Sequence, residues 1–254
     1  MKKTKIGVKK GFLPTVLGLL WLLGVWAVFY LFIGNEYLLP SPWACLCEAA
    51  KLLLSGGFYS AFLTTLGRAG LAALISASIA FPLAGAAFAW EWLARFLSPL
   101  IAVLRSLPTL AVLLLLLVFF GGNGGAICVA VTAALPMLYT AFFTSLSGAD
   151  KQVLEMCKAY RVPVWKRVIG VYLPAALPKL TNECGAALSF ALKVTVSAEI
   201  LTTVFQSVGG LMQEARLAAQ TATLMALTLL VCGVGLLLEW VFSAWARRLE
   251  RRFL

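Results

Sequence analysis

Residues Glu155 to Pro174 read EMCKAYRVPVWKRVIGVYLP, a charged and amphipathic stretch between two long apolar runs. The runs on either side have the character of membrane crossings, so this stretch is the part left to face water and another protein. On a helix of 3.6 residues per turn, Val153, Met156, Cys157 and Tyr160 share one face, while Lys151, Glu155 and Lys158 lie elsewhere. The pattern predicts a short surface helix with one side to bury, a docking element driven by another subunit. Val162-Pro163 interrupts it, because proline lacks an N–H and disfavours helical geometry in the residue before it. Trp165 to Val171 then starts a second short element that ends at Leu173-Pro174.

Outward from this stretch the composition demands a membrane. Of 254 residues 62% are hydrophobic and only 12% charged, with a mean hydropathy of +0.95, which leaves too little polar surface for a water-soluble domain. Crossing about 30 Å of hydrocarbon takes roughly 20 residues. Runs of that kind occur near Phe12–Ile33, Ser60–Ala89, Phe96–Phe120, Ala126–Leu146, Ala175–Thr203 and Thr221–Ala244. The expected architecture is an all-α membrane protein of about six transmembrane helices. Residues 1–254 form a single domain, since no linker, low-complexity tract or repeat divides them.

Charge orients these helices. Lys2, Lys3, Lys5, Lys9 and Lys10 precede the first run, and the loops that six crossings place on the same side carry Arg95, then Lys151, Lys158, Arg161, Lys166 and Arg167, then Arg247, Arg248, Arg251 and Arg252. Opposite loops hold little beyond Lys51 and Arg216, so both termini are expected to be cytoplasmic. The net charge of +11 is therefore a topological signal. It is spread loop by loop, without the clustered basic and stacking surface a nucleic-acid partner needs. The first run is too long for a signal-peptide core and no small-x-small site follows it, so it reads as an uncleaved anchor.

Within the runs, Pro40 to Gly57 has Trp43, Leu46, Ala50 and Leu53 near helical spacing. This suits either a helix lying on the outer membrane surface or a packed connector. Gly121 to Gly125 reads as a tight turn between two crossings, without the Lys-Ser/Thr pair of a phosphate loop. In the second run Gly67, Gly70, Ala73, Ala77, Ala80 and Ala84 recur at three- and four-residue steps, predicting close helix packing on that face. Pro82 and Pro108 should kink their helices.

Chemistry-bearing residues are sparse. The six cysteines are scattered and there is no histidine, so neither a metal site nor a general base with an evident nucleophile emerges. No catalytic residue and no cofactor is expected in this chain. Ionisable groups inside the runs are the better signal, because a charge in hydrocarbon costs at least about 2.5 kcal/mol and usually faces protein or a wet path. They are Arg68, Arg105, Glu183, Lys193 and Glu199. Ser189, Lys193 and Ser197 follow at four-residue steps, a polar stripe suited to a translocation pathway for an anionic or electron-rich solute. The competing account pairs Lys193 with an intramembrane glutamate on another helix. Arg105 and Glu199 read as gating or structural groups.

The stretch quoted first resembles the cytoplasmic coupling loop of permease subunits in ATP-binding-cassette (ABC) importers. The family pattern there is E-A-A, three residues, G, nine residues, I, one residue, L-P. Glu155 keeps the first position, Val171 stands at the isoleucine and Leu173-Pro174 close the motif in register, while Met156 and Cys157 replace the alanines and Arg161 the glycine. Val162-Pro163 is expected to supply the bend. Leu39-Pro40-Ser41-Pro42, Thr65-Leu66-Gly67-Arg68, Pro99 with Leu104-Arg105-Ser106-Leu107-Pro108, and Ala198-Glu199-Ile200-Leu201 are similar to features of the nitrate, sulfonate and taurine permease group.

The resemblance implies a type I importer fold and a multi-pass protein of the bacterial inner membrane. It also implies two ABC ATPase subunits carrying ATP and magnesium, a second permease chain forming a dimer (a homodimer in the simplest case), and an extracytoplasmic solute-binding protein. The coupling segment would span about 148–174, with Val153, Glu155, Met156, Cys157, Tyr160 and Arg161 meeting the ATPase. Two other classes stand beside this reading: an ion-coupled secondary transporter, which needs a clustered acidic site or inverted repeats near the midplane, and a membrane anchor or sensor without transport.

Overall fold

The computed structural model describes residues 12–148, 151–202 and 204–253, which contain helices and no strand. The lysines at 2, 3, 5, 9 and 10, together with Asp150 and Thr203, lie outside the described residues.

Helix α1 (Phe12–Ile33) leads to α2 (Pro42–Leu54), which starts where its composition says it should. Ser41 caps it by accepting the Ala44 N–H at 3.1 Å, and Pro42 occupies the first turn, where a missing N–H costs nothing. Helix α2 packs on α10 (Thr221–Phe253) and α3 (Gly56–Ala89), burying Cys45. Trp43, Leu46, Ala50 and Leu53 form its exposed side, so one helix both connects and presents an apolar stripe outward. Helix α1 touches chiefly α2, and its apolar surface is left largely uncovered by its own chain.

The bundle is built around α8 (Leu173–Thr202), with α5 (Thr109–Leu146) on one side, α10 on another and α3 packed against both α5 and α8. Small residues allow this closeness, because van der Waals packing between membrane helices rises as backbones approach. On α3 the buried stripe runs Ala61, Thr65, Ala69, Ala72, Ser76, Ala80, Ala84 and Ala87. Gly67 is exposed, and nothing approaches within 4 Å of the space beside Gly67 or Gly70. The predicted face holds at Ala80 and Ala84, both fully buried, and in the first half of α3 gives way to Thr65, Ala69, Ala72 and Ser76.

Five helices among the described residues are long and apolar enough to cross a membrane. A sixth is counted if α4 (Glu91–Ser106) and the start of α5 are taken as one span bent by 89°. The third predicted run, Phe96–Phe120, is therefore a right-angled pair rather than a straight crossing. Pro108 is the reason: it donates no hydrogen bond and holds Leu107 extended at φ −64, ψ 127. The predicted turn at Gly121–Gly125 is also corrected. Helical geometry continues through Gly122 to Gly125, and the chain breaks at Gly121 alone, at φ 68, ψ −177, a conformation open to glycine and strained for other residues.

After α5 come α6 (Lys151–Ala159), α7 (Val164–Arg167) and a π-helical turn (Val168–Tyr172) that runs into α8; α9 (Val208–Leu217) precedes α10. The basic loops gather at one end of the bundle. There the Phe88 and Tyr172 rings meet edge-on at 5.2 Å, Lys179 Nζ donates to Thr144 Oγ1 at 3.1 Å, and Arg247 lines a surface recess with Lys179 and Glu250. At the other end Phe58, Leu192, Val208, Met212 and Leu227 share a core, and Thr221 Oγ1 donates to the Tyr37 carbonyl at 2.6 Å.

Candidate functional site

The arm between α5 and α8 is shaped by a helix stop. Val162 N–H donates to Cys157 O at 2.9 Å and Arg161 N–H to Lys158 O at 3.0 Å, the paired bonds that close a helix through a left-handed residue. That residue is Arg161, at φ 50. Arginine therefore adopts the conformation for which glycine is suited, against a cost of about 1–2 kcal/mol for a side-chain-bearing residue. The bend comes from Arg161 itself, and Val162-Pro163 only starts the next element, with Pro163 at the head of α7.

The predicted apolar stripe of α6 divides. Val153 and Cys157, with Leu154, are half-buried, whereas Met156 and Tyr160 are exposed, Tyr160 at 79%. Glu155 is exposed beside Met156. Val164, Trp165, Val168 and Ile169 continue the uncovered apolar surface beyond the bend, with Lys166 Nζ 5.5 Å from the Trp165 ring centre. These four lie beyond the single helical period of the stripe, which ends at Pro163. A tryptophan among lysines and arginines was the available signal.

At the opposite end of the bundle, motifs far apart in sequence meet. Arg68 Nη1 donates to Glu199 Oε1 at 2.7 Å, while Thr65 Oγ1 and the Gly209 N–H donate to Oε2 at 2.8 and 3.2 Å. Thr65 Oγ1 in turn accepts the Val208 N–H at 3.0 Å, and Arg68 Nη2 donates to Asn123 Oδ1 at 3.2 Å. Glu199 has 0% exposure, so its charge is held by donors rather than by water. Gly209 is required there: a Cβ at that position would collide with the Glu199 Cβ. The Glu199 carboxylate ties α8 to α3 and the start of α9, and Arg68 extends the tie to α5 through Asn123.

The polar stripe of α8 is only partly exposed. Ser189 is buried and its hydroxyl has no hydrogen-bond partner among the described residues, whereas Lys193 and Ser197 lie on the free face with Phe190. Lys193 Nζ sits 3.9 Å from Glu239 Oε1 on α10, at 50% and 41% side-chain exposure, a loose pair open to its surroundings. Ser197 Oγ donates to the Lys193 carbonyl at 2.9 Å.

Arg105 stands at the right-angled bend of α4 and α5, where its Nη2 reaches the Pro136 carbonyl at 3.5 Å. It makes no ion pair among the described residues. A cavity of 290 Å³ and one of 1020 Å³ both include it in their walls. Phe190 closes the smaller cavity, next to the free face of α8.

The chain is similar to known proteins in sequence and in fold. Residues 78–254 match the family described as binding-protein-dependent transport system inner membrane component. The putative aliphatic sulfonates transport permease protein SsuC of Bacillus subtilis (strain 168) is 26% identical over 99% of this chain and 89% of its own length. Among solved structures, an inward-facing MetNI methionine ABC transporter superposes with a TM-score of 0.66 at 17% identity, over 74% of this chain and 93% of that one. An amino acid ABC transporter solved with histidines gives a TM-score of 0.60 at 19% identity, over 80% of this chain and 97% of that one. The structural likenesses concern the fold.

Proposed function

Because this chain belongs to the binding-protein-dependent transport system inner membrane component family and is the permease component of an ABC importer, we propose that α6 and α7 are its coupling arm and that the free face of α8 borders its translocation pathway. Val153, Glu155, Met156, Cys157, Tyr160 and Arg161 lie on the arm, joined by Val164 and Trp165. The observation that carries the reading is the uncovered apolar surface of Met156, Tyr160, Val164 and Trp165 on the water-facing side of an otherwise apolar bundle. Such a surface at the centre of a polar arm is what a partner groove buries.

The partner is a pair of cytoplasmic ATP-binding-cassette subunits, which hold ATP and magnesium and carry out hydrolysis. A second copy of this chain completes the pathway, and an extracytoplasmic solute-binding protein delivers the cargo. The basic end of the bundle and both termini face the cytoplasm of a bacterium, following the positive-inside rule. The solute is a small polar molecule of the aliphatic sulfonate kind, by likeness to the relative named for such solutes. Closure of the ATPases moves the arm, and energy enters as their differential affinity for the two states of the permease. Lys193 and Ser197 face the pathway, with Ser189 behind them. Glu199 fixes the end of the bundle away from the arm.

Co-purification tests this reading. The chain tagged and extracted in mild detergent should retain an ABC ATPase. Glu155→Ala should keep that complex assembled but abolish stimulation of ATP hydrolysis by loaded binding protein, since a charge-assisted contact is lost from the arm. A chain purified without any ATPase, yet transporting in an ion gradient, would make it a secondary transporter.

A further inference from the structure

Arg68, Arg105 and Lys193 lie on helices of the bundle, and their surroundings differ. Arg68 is matched by Glu199 at 2.7 Å, and Lys193 faces Glu239 at 3.9 Å. Arg105 has only the 3.5 Å contact with a carbonyl, and that carbonyl already accepts Thr140 Oγ1 at 2.9 Å. A guanidinium stays charged at any physiological pH. Pro136 lies ten residues before Leu146, about 15 Å along α5. With the Leu146 end of α5 taken as the membrane boundary, the exposed Arg105 side chain falls near the middle of a hydrocarbon layer about 30 Å thick. An unmatched charge at that depth persists only where water or a ligand reaches it.

The two cavities provide that access. The wider, of 1020 Å³, runs along the polar side of α4 past Ser98 and Ser106. Its one acidic wall residue, Glu91, is already paired with Arg95 at 2.7 Å. The narrower, of 290 Å³, continues past Thr109 and Thr132 to Phe190. Across both, the uncompensated charge is that of Arg105, flanked by hydroxyls and closed by an aromatic ring.

We propose that Arg105 is the anion-recognising group of the translocation path, binding the head of a small oxyanion such as a sulfonate where α4, α5 and Phe190 converge. The planar fork of donors on a guanidinium matches two oxygens of such a head, and the Thr109 hydroxyl stands on the same wall to hold a third, while Thr132 donates its proton to the Cys128 carbonyl at 2.8 Å. This inference rests on the permease reading and deepens it.

The test uses the full chain with its ATPase and binding protein in membrane vesicles, the native cysteines replaced and Thr132→Cys added as a reporter. Two thiol reagents are compared, anionic 2-sulfonatoethyl methanethiosulfonate and cationic 2-(trimethylammonio)ethyl methanethiosulfonate, each normalised to its rate with a free thiol. A positive wall without a counter-charge should favour the sulfonate reagent by about tenfold or more. That preference should vanish in Arg105→Gln, persist in Arg105→Lys, and stay within about twofold in Lys51→Met, a cation that lines neither cavity. A reporter that reacts with neither reagent, or with both equally while Arg105 is intact, overturns the proposal, and this arm stands even if Arg105→Gln fails to accumulate. Loss of the preference in Lys51→Met with retention in Arg105→Gln overturns it as well. The labelling needs no ATP, so its failure is distinct from failure of the permease reading, which would appear as absence of a co-purifying ATPase.

Discussion

The Glu199 carboxylate is fully buried and each of its oxygens accepts from a donor, whereas around Met156 and Trp165 apolar side chains stand open beside exposed charges. The first arrangement resists change, because separating any member strands a polar group in a medium that cannot solvate it. The second gains by change, because covering the rings releases water without breaking an internal bond. One chain thus has an end that holds its helices together and an end whose apolar surface is open to a partner.

The largest expected effect breaks the closed end. Glu199→Ala leaves Arg68, 14% exposed, without its carboxylate and the Thr65 hydroxyl and Gly209 N–H without their acceptor, and should destabilise the protein by about 3 kcal/mol, read as a fall in thermal stability in detergent. Adding Arg68→Met to that variant should recover much of the loss, since an apolar pair in place of a buried ion pair is often neutral. No recovery would mean that the tie to Gly209 and Thr65, rather than the ion pair, holds the end. At the open end, Trp165→Asp or Met156→Asp should leave the melting of the isolated chain nearly unchanged. Either should weaken ATPase association by about 2 kcal/mol, roughly thirtyfold, in a pull-down normalised to permease level. Equal loss of both would show that the arm supports the fold.

Smaller effects sharpen the comparison. Arg161→Gly should stabilise the bend by about 1 kcal/mol, because glycine adopts φ 50 without a Cβ penalty. Slower proteolysis of the arm in the assembled chain would register it. The least effect is expected for Lys193→Met. Its pair with Glu239 is loose and half-exposed, so stability should change by at most about 1 kcal/mol, while transport rate or solute preference shifts. Lost assembly, restored by neutralising Glu239, would assign Lys193 to packing instead.

Much of the architecture was legible because hydropathy and loop charge respond to the membrane directly. The runs at Phe12–Ile33 and Ser60–Ala89 reappear as α1 and most of α3. The Leu107-Pro108 corner was not legible, since hydropathy counts apolar atoms and is blind to the direction in which a proline sends the chain. Arg161 escaped for a related reason: the bonds from Val162 and Arg161 back to α6 impose the left-handed conformation, and residue type alone argued against it. The polar knot was visible only in pieces. Thr65, Arg68 and Glu199 each stood in a recognisable motif, but more than a hundred residues separate α3 from Glu199, and only packing brings them together.

That separation has a consequence for how the protein is made. Arg68 enters the membrane with α3, and its carboxylate partner is synthesised 131 residues later. Until α8 arrives, the nascent chain carries this cation without its acid, and near the end of the bundle its long side chain can reach up to the interface for water. The arrival of α8 replaces that water with a carboxylate, so the order of synthesis makes this tie one of the last to form.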